Sequence, residues 1–187
     1  MRKGILAAAL FVCGACGGGS SSSGSATVNG NIGGQPMAAQ DAVSNVLTSG
    51  SNSQGFILIT NASNTCGKLA ASQQPKNAKA IAVGIATQAG TSYAAPAATG
   101  AYTVYNSSNI GTASGNVVVG EYVATDALCN NIASIEASSG TVTLTRVDSN
   151  GYAGTFDITF SDLSHATGSF TANKCTALTD TVGGTCT

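Results

Sequence analysis

The 187-residue chain carries 7 Lys and Arg against 8 Asp and Glu, and only 8% of its residues are charged, against about 25% in typical soluble proteins. Nucleic-acid binding needs clustered Lys and Arg, and the chain has no basic stripe. With 5% aromatics and no Trp it is also poor in the stacking platforms used on sugars and bases.

The chain opens with Arg2 and Lys3, followed by the apolar run GILAAALFV at residues 4–12. A positive start, a short apolar run and small residues before a cleavage point are the parts of an export signal. The run is too short to span a bilayer, which needs ~20 residues. Gly14 and Ala15 then precede Cys16, and GGGSSSSGS follows at residues 17–25. Cys13 and Cys16 have the spacing of a redox CxxC, but that reading needs a βαβ context, which the sequence around them lacks. The stretch Val12-Cys13-Gly14-Ala15-Cys16 resembles the lipobox of bacterial lipoproteins, with Cys13 where leucine is usual in that family. The resemblance implies that residues 1–15 are a leader cut before Cys16, and that Cys16 is the lipid-attachment residue, carrying palmitate-type chains on its thiol and its new amino group. Several acyl chains anchor stably where one does not, since each buried methylene contributes ~0.8 kcal/mol. Residues 16–25 then read as the acylated cysteine and a flexible Gly/Ser tether, and residues 26–187 as one domain. Gly17 rather than aspartate after the cysteine resembles the pattern sent to the outer membrane, with the periplasmic or surface side left open.

Strand signals dominate the rest. SATVNGNI at residues 25–32 is followed by Gly33-Gly34, a hairpin signal. The next segment is a strand or, over residues 37–46, a short helix. GFILIT at residues 55–60 reads as a buried strand. Asn61 or Ser63 is positioned to cap a short helix with Cys66 and Leu69 facing the core, ended by Gln74-Pro75. KAIAVGIA at 79–86 is the next strand, and residues 88–100 read as loop. AYTVY at 101–105 and GNVVVGEYVAT at 115–125 continue the strands. In the last third, Val142 and Leu144, then Phe156, Ile158 and Phe160, then Ala166, Gly168, Phe170 and Ala172 alternate with polar residues, mostly threonine. Period-two alternation over three segments predicts an antiparallel meander with one wet face.

Beyond Cys16, Cys66, Cys129, Cys175 and Cys186 form an even set, which in an exported chain reads as two disulfides; their spacing has no metal-type close pair. Three connectivities exist. A local Cys175–Cys186 staple is the easiest to form and leaves Cys66 with Cys129.

The fold expected is mainly β, an antiparallel β-sandwich or barrel with one short α-helix. The layout is also similar to uncharacterised bacterial lipoproteins whose β-rich domain ends in a G-S-F-x-A-x-x-C strand, here residues 168–175. That set carries no assigned activity.

Catalytic candidates are thin. The single histidine, His165, stands beside Asp162 and Ser164, but a triad needs convergence in space with an oxyanion hole, and Ser and Asp belong in turns for backbone reasons. His165 reads as a solvated turn residue. The acids Asp41, Glu121, Asp126, Glu136, Asp148, Asp157, Asp162 and Asp180 are scattered. Glycosidase chemistry needs two carboxylates across a cleft, and Glu121 with Asp157 is the pair on separate strands. DSNG at residues 148–151 lacks the acids of a calcium loop and reads as a hairpin turn. Tyr93, Tyr102, Tyr105, Tyr122 and Tyr152 are core residues with polar tips or the lining of a wet groove. The sequence therefore points away from an enzyme, with no catalytic residue, metal ligand or cofactor assigned. It leaves a structural, adhesive or protein-interaction module held to the membrane by its lipid, with an envelope binding module for a small molecule or glycan as the alternative. An envelope protein or glycan is the partner expected, and no nucleic acid.

Overall fold

The computed structural model describes residues 23–179 and 184–187; residues 1–15 expected as leader, Cys16, most of the stretch expected as tether and Asp180 lie outside the described residues. The domain is mainly β, as the alternation predicts. β1 (Ser25–Ile32) and β2 (Gln35–Pro36) form the hairpin expected at Gly33-Gly34. The segment left between strand and helix is a strand, β3 (Asp41–Ser49), paired along its whole length with β4 (Asn52–Thr60). The short helix α1 (Thr65–Ala70) follows, then β5 (Gln73–Gln74) and β6 (Lys79–Ala89). The stretch read as loop contains a three-residue strand, β7 (Ser92–Ala94). β8 (Gly100–Val104), a 3-10 turn (Ile110–Thr112), β9 (Gly115–Thr125), β10 (Asn131–Asp148), β11 (Gly151–Phe160), β12 (His165–Lys174) and β13 (Thr185–Cys186) complete the chain.

The strand pairings close on themselves. β3 pairs with β4, β4 with β6, β6 with β9, β9 with β10, β10 with β11 and β11 with β12, all antiparallel. β12 then meets β3 in a short parallel seam, Asn173 opposite Val43 and Lys174 opposite Ser44. Of sandwich and barrel, the pairing is that of a barrel, and it is not wholly antiparallel. The seam is fastened by Cys175 N–H donating to the Ser44 carbonyl at 2.7 Å and Ser44 Oγ donating to the Ala172 carbonyl at 2.9 Å. β1 covers the rest of β12, from Ser25 opposite Thr171 to Asn31 opposite His165. β8 pairs with both β10 and β9 farther along those strands, parallel to β9.

The meander β10–β11–β12 is as expected, but β10 is longer than its clear pattern. Its first half, NIASIEASS, is rich in serine and alanine, so apolar alternation fades there. The long strand carries register shifts between Ala137 and Ser139 and between Leu144 and Arg146, and at Gly140 φ is +131° and a Cβ would lie 2.1 Å from the Asp157 carbonyl oxygen.

Alternation sends one face of each strand inward. Ile57, Ile59, Ile81, Val83, Ile85, Val118, Val142, Leu144, Phe156, Ile158 and Phe170 fill the barrel together with Tyr102, Tyr122 and Tyr152. Each large apolar side chain so buried contributes roughly 1.5–3 kcal/mol. The second half of β4, residues 55–59, is an unbroken apolar run because its other face is buried too. Phe56 and Leu58 pack with Val43, Cys175 and Leu178, against which Cys66 and Leu69 of α1 rest. Helix and C-terminal segment thus form an outer layer over β3, β4 and β6. Ile110 of the 3-10 turn packs on Ala86 and Val117 as a third, smaller cluster.

Ser23 and Gly24, expected in the tether, are bonded to the barrel. Asn173 Nδ2 donates to the Ser23 carbonyl at 2.8 Å, and Gly24 N–H donates to Asp41 Oδ1 at 2.9 Å. A Cβ on Gly24 would lie 1.9 Å from the Ala42 carbonyl oxygen, so residues 23–25 belong to the barrel rather than to the tether.

Candidate functional sites

The cysteines pair as Cys66–Cys175 and Cys129–Cys186. Two disulfides are as expected; the pairing Cys66–Cys129 with Cys175–Cys186 is overturned. Loop length favours the local staple, but packing decides otherwise. Cys175 leaves the β12 seam facing the outer cluster where α1 presents Cys66, while β13 runs parallel to β5 and carries Cys186 to the turn that holds Cys129.

His165 does not meet Asp162 or Ser164. It begins β12 with its ring exposed, and its Nε2 lies 2.7 Å from Asp157 Oδ1 on the neighbouring strand. Ser164 N–H and Oγ both bond Asp162, a side chain closing its own turn. The Ser164 hydroxyl, ahead of the backbone amides, holds the Asp162 carboxyl below the usual carboxylate range. His165 is a strand residue paired to an exposed acid, with Ser164 turned to the turn instead. Exposed pairs contribute little, so His165→Ala should shift the stability by less than ~0.5 kcal/mol. Thermal unfolding of the two proteins checks this, and a loss above ~1 kcal/mol would give the pair a structural weight that surface pairs lack.

Glu121 does not face Asp157 either. It stands directly opposite Glu136 in the β9–β10 ladder, whereas Asp157 lies opposite Thr167 and Thr141. Glu136 accepts from Ser107 N–H and Glu121 from Ser134 Oγ at 3.3 Å. Among the described residues no group of three or more His, Cys, Asp or Glu is placed to hold a metal ion. Asp148 accepts from Asn150 N–H at 2.7 Å, closing the DSNG hairpin. Asp126 binds the Leu128 and Asn130 amides and the Asn130 side chain; the last leads in holding its carboxyl below the usual range.

The tyrosines divide. Tyr102, Tyr122 and Tyr152 lie in the core, and burial pushes all three hydroxyls above the ordinary tyrosine range. The Tyr102 hydroxyl donates to the Ala98 carbonyl at 3.0 Å, while that of Tyr122 is buried without a partner. Tyr93 and Tyr105 lean on the small outer cluster. The five do not form one groove.

One feature escaped the sequence reading: Asp41, 1% exposed. Its Oδ1 accepts from Gly24 N–H and its Oδ2 from Thr65 N–H at 2.8 Å. Neither Asn61 nor Ser63 caps α1. Asn64 precedes the helix with φ 52° and no side-chain cap, and the carboxylate serving the first helical amide comes from β3. Asn61 instead braces β6, accepting from Lys79 N–H and donating to the Asn77 carbonyl. The wet, threonine-rich face expected of the meander is an outward hydroxyl face that extends onto β1. Thr27, Ser169, Thr155 and Thr143 stand in one row across β1, β12, β11 and β10, with Asn29, Thr167, Asp157 and Thr141 in the next. Thr27 and Ser169 share a hydrogen bond of 2.9 Å. No sequence signal exposes the Asp41 bridge, which joins three segments far apart in the chain.

No protein-family model, curated protein or solved structure matches the chain.

Proposed function

We propose that the chain is a bacterial lipoprotein, anchored through Cys16 at the outer membrane, whose β-barrel is a non-catalytic structural, adhesive or protein-interaction module of the cell envelope. The observation that carries the reading is the order of parts at the start: Arg2-Lys3, a short apolar run, Gly14-Ala15 and then Cys16, leading within a few residues to the barrel at Ser23. Two disulfides fit an oxidising compartment. The outward hydroxyl rows across β1, β12, β11 and β10 are a broad surface suited to contact with a partner, and the tyrosines that would favour a ligand groove are divided between core and outer cluster.

Full-length protein expressed in a bacterium fed labelled fatty acid should carry label and partition into detergent. Cys16→Ser should lose both. A Cys16→Ser chain that keeps the label and still partitions would overturn the anchor.

A further inference from the structure

Gln40, Asn61, Ser63, Lys68, Lys76 and Thr187 line an open depression of about 370 Å³. Its position is set by the Asp41 bridge. Gln40 is the residue before Asp41, and Ser63 stands two residues before Thr65, so the depression adjoins the place where Gly24 enters the fold. Its side-chain charges are of one sign, set against the carboxyl group of Thr187, the last residue of the sequence. None of its lining residues is Asp or Glu, and Asp41 is buried, with each carboxylate oxygen committed to a backbone amide. Lys68 reaches only the Ser63 carbonyl, at 2.7 Å, and the ion pairs among the described residues, Arg146 with Asp148 and His165 with Asp157, involve neither lysine. Lys76 is exposed, its N–H held by the Thr187 carbonyl at 3.0 Å.

The chain outside the described residues limits where this face can go. From Cys16 to Ser23 is seven residue steps, which at full extension span at most about 25 Å. A barrel held that close to a bilayer presents the surface near Gly24 to it. We propose that the depression docks on the membrane surface itself, Lys68 and Lys76 receiving the phosphates of anionic lipid headgroups. The inference rests on the lipid-anchor reading above. Near an anionic leaflet each lysine strengthens contact by about fivefold, and the effect is confined to roughly a Debye length, about 8–10 Å, an approach that a tether of at most about 25 Å permits.

The full, acylated chain should be reconstituted in vesicles of phosphatidylcholine alone and of equal parts phosphatidylcholine and phosphatidylglycerol. Its lysines are then acetylated and mapped by mass, with the same lysines on phosphatidylcholine alone as reference. Flotation with both vesicles is expected, together with several-fold slower acetylation of Lys68 and Lys76 on the phosphatidylglycerol vesicles than on phosphatidylcholine alone. A chain that floats with neither fails the anchor reading and takes this inference with it. Flotation with both but equal lysine rates overturns the docking alone. Full protection by millimolar inorganic phosphate in detergent, without vesicles, would also overturn it, in favour of a soluble phosphate ligand.

Discussion

Replacing Cys66 and Cys175 together by alanine should cost about 4–5 kcal/mol and lower the melting temperature by on the order of 10 °C. The bond closes a loop with a sequence separation of 109, so its removal releases a large chain entropy in the unfolded state. Cys175 is also 1% exposed and packs with Val43, Phe56, Leu58 and Leu178, so the outer layer loses packing as well as a cross-link. The Cys129–Cys186 bond, with a separation of 57, has a loop entropy nearly as large, about 4 kcal/mol. Its effect on the barrel should nevertheless be much smaller, below about 1.5 kcal/mol, because a local opening that detaches β13 leaves the rest of the fold standing. What it pins is a two-residue strand on β5. Urea unfolding of the two double-alanine variants should therefore rank Cys66/Cys175 well above Cys129/Cys186. The reverse order would mean that the outer layer over β4 is not the main clamp.

Asp41→Ala should cost about 3 kcal/mol, the loss of two charge-assisted hydrogen bonds with at least one donor left buried and unpaired. Gly24 N–H and Thr65 N–H both depend on this carboxylate, so the start of β1 and the start of α1 loosen together. Asp41→Asn should fall between the two proteins, because an amide has one carbonyl oxygen and must turn its NH2 toward the second backbone donor. Hydrogen exchange at the Gly24 and Thr65 amides should quicken in both variants, alongside the shift of the urea midpoint. An Asp41→Ala protein within ~1 kcal/mol of the parent would show that water takes over both donors and that the bridge is incidental.

The sequence-based reading was strongest where one physical pattern acts alone. In residues 140–172 the side chains alternate within each strand, apart from a register shift between Leu144 and Arg146, one face is wet, and the three strands follow each other with tight turns; the meander is found where the pattern puts it. GFILIT was legible as a buried strand, though not why it is apolar on both faces, since that depends on α1 and the segment after β12 folding over it. The candidate sites were read less well. Asp162 and Ser164 bond each other within their turn, but His165, their neighbour in sequence, joins neither, because it has entered β12 and its side chain lies along the sheet. His165 therefore finds Asp157 across the β11–β12 ladder. Glu121 meets Glu136 for the same reason of register.

By itself the sequence determined the mainly β class, the hairpin at Gly33-Gly34, the meander, the short helix over Cys66 and Leu69 and the presence of two disulfides, because each follows from local periodicity, turn chemistry or cysteine parity. Only the tertiary structure decided that the sheet closes through a parallel β12–β3 seam, that Cys66 takes Cys175 rather than Cys129, and that Asp41 caps a helix 24 residues away while holding Gly24. These are contacts between segments far apart in the chain. They are set by which strand edges remain to be paired and which faces remain to be covered once the local elements have formed, and no local pattern records that remainder.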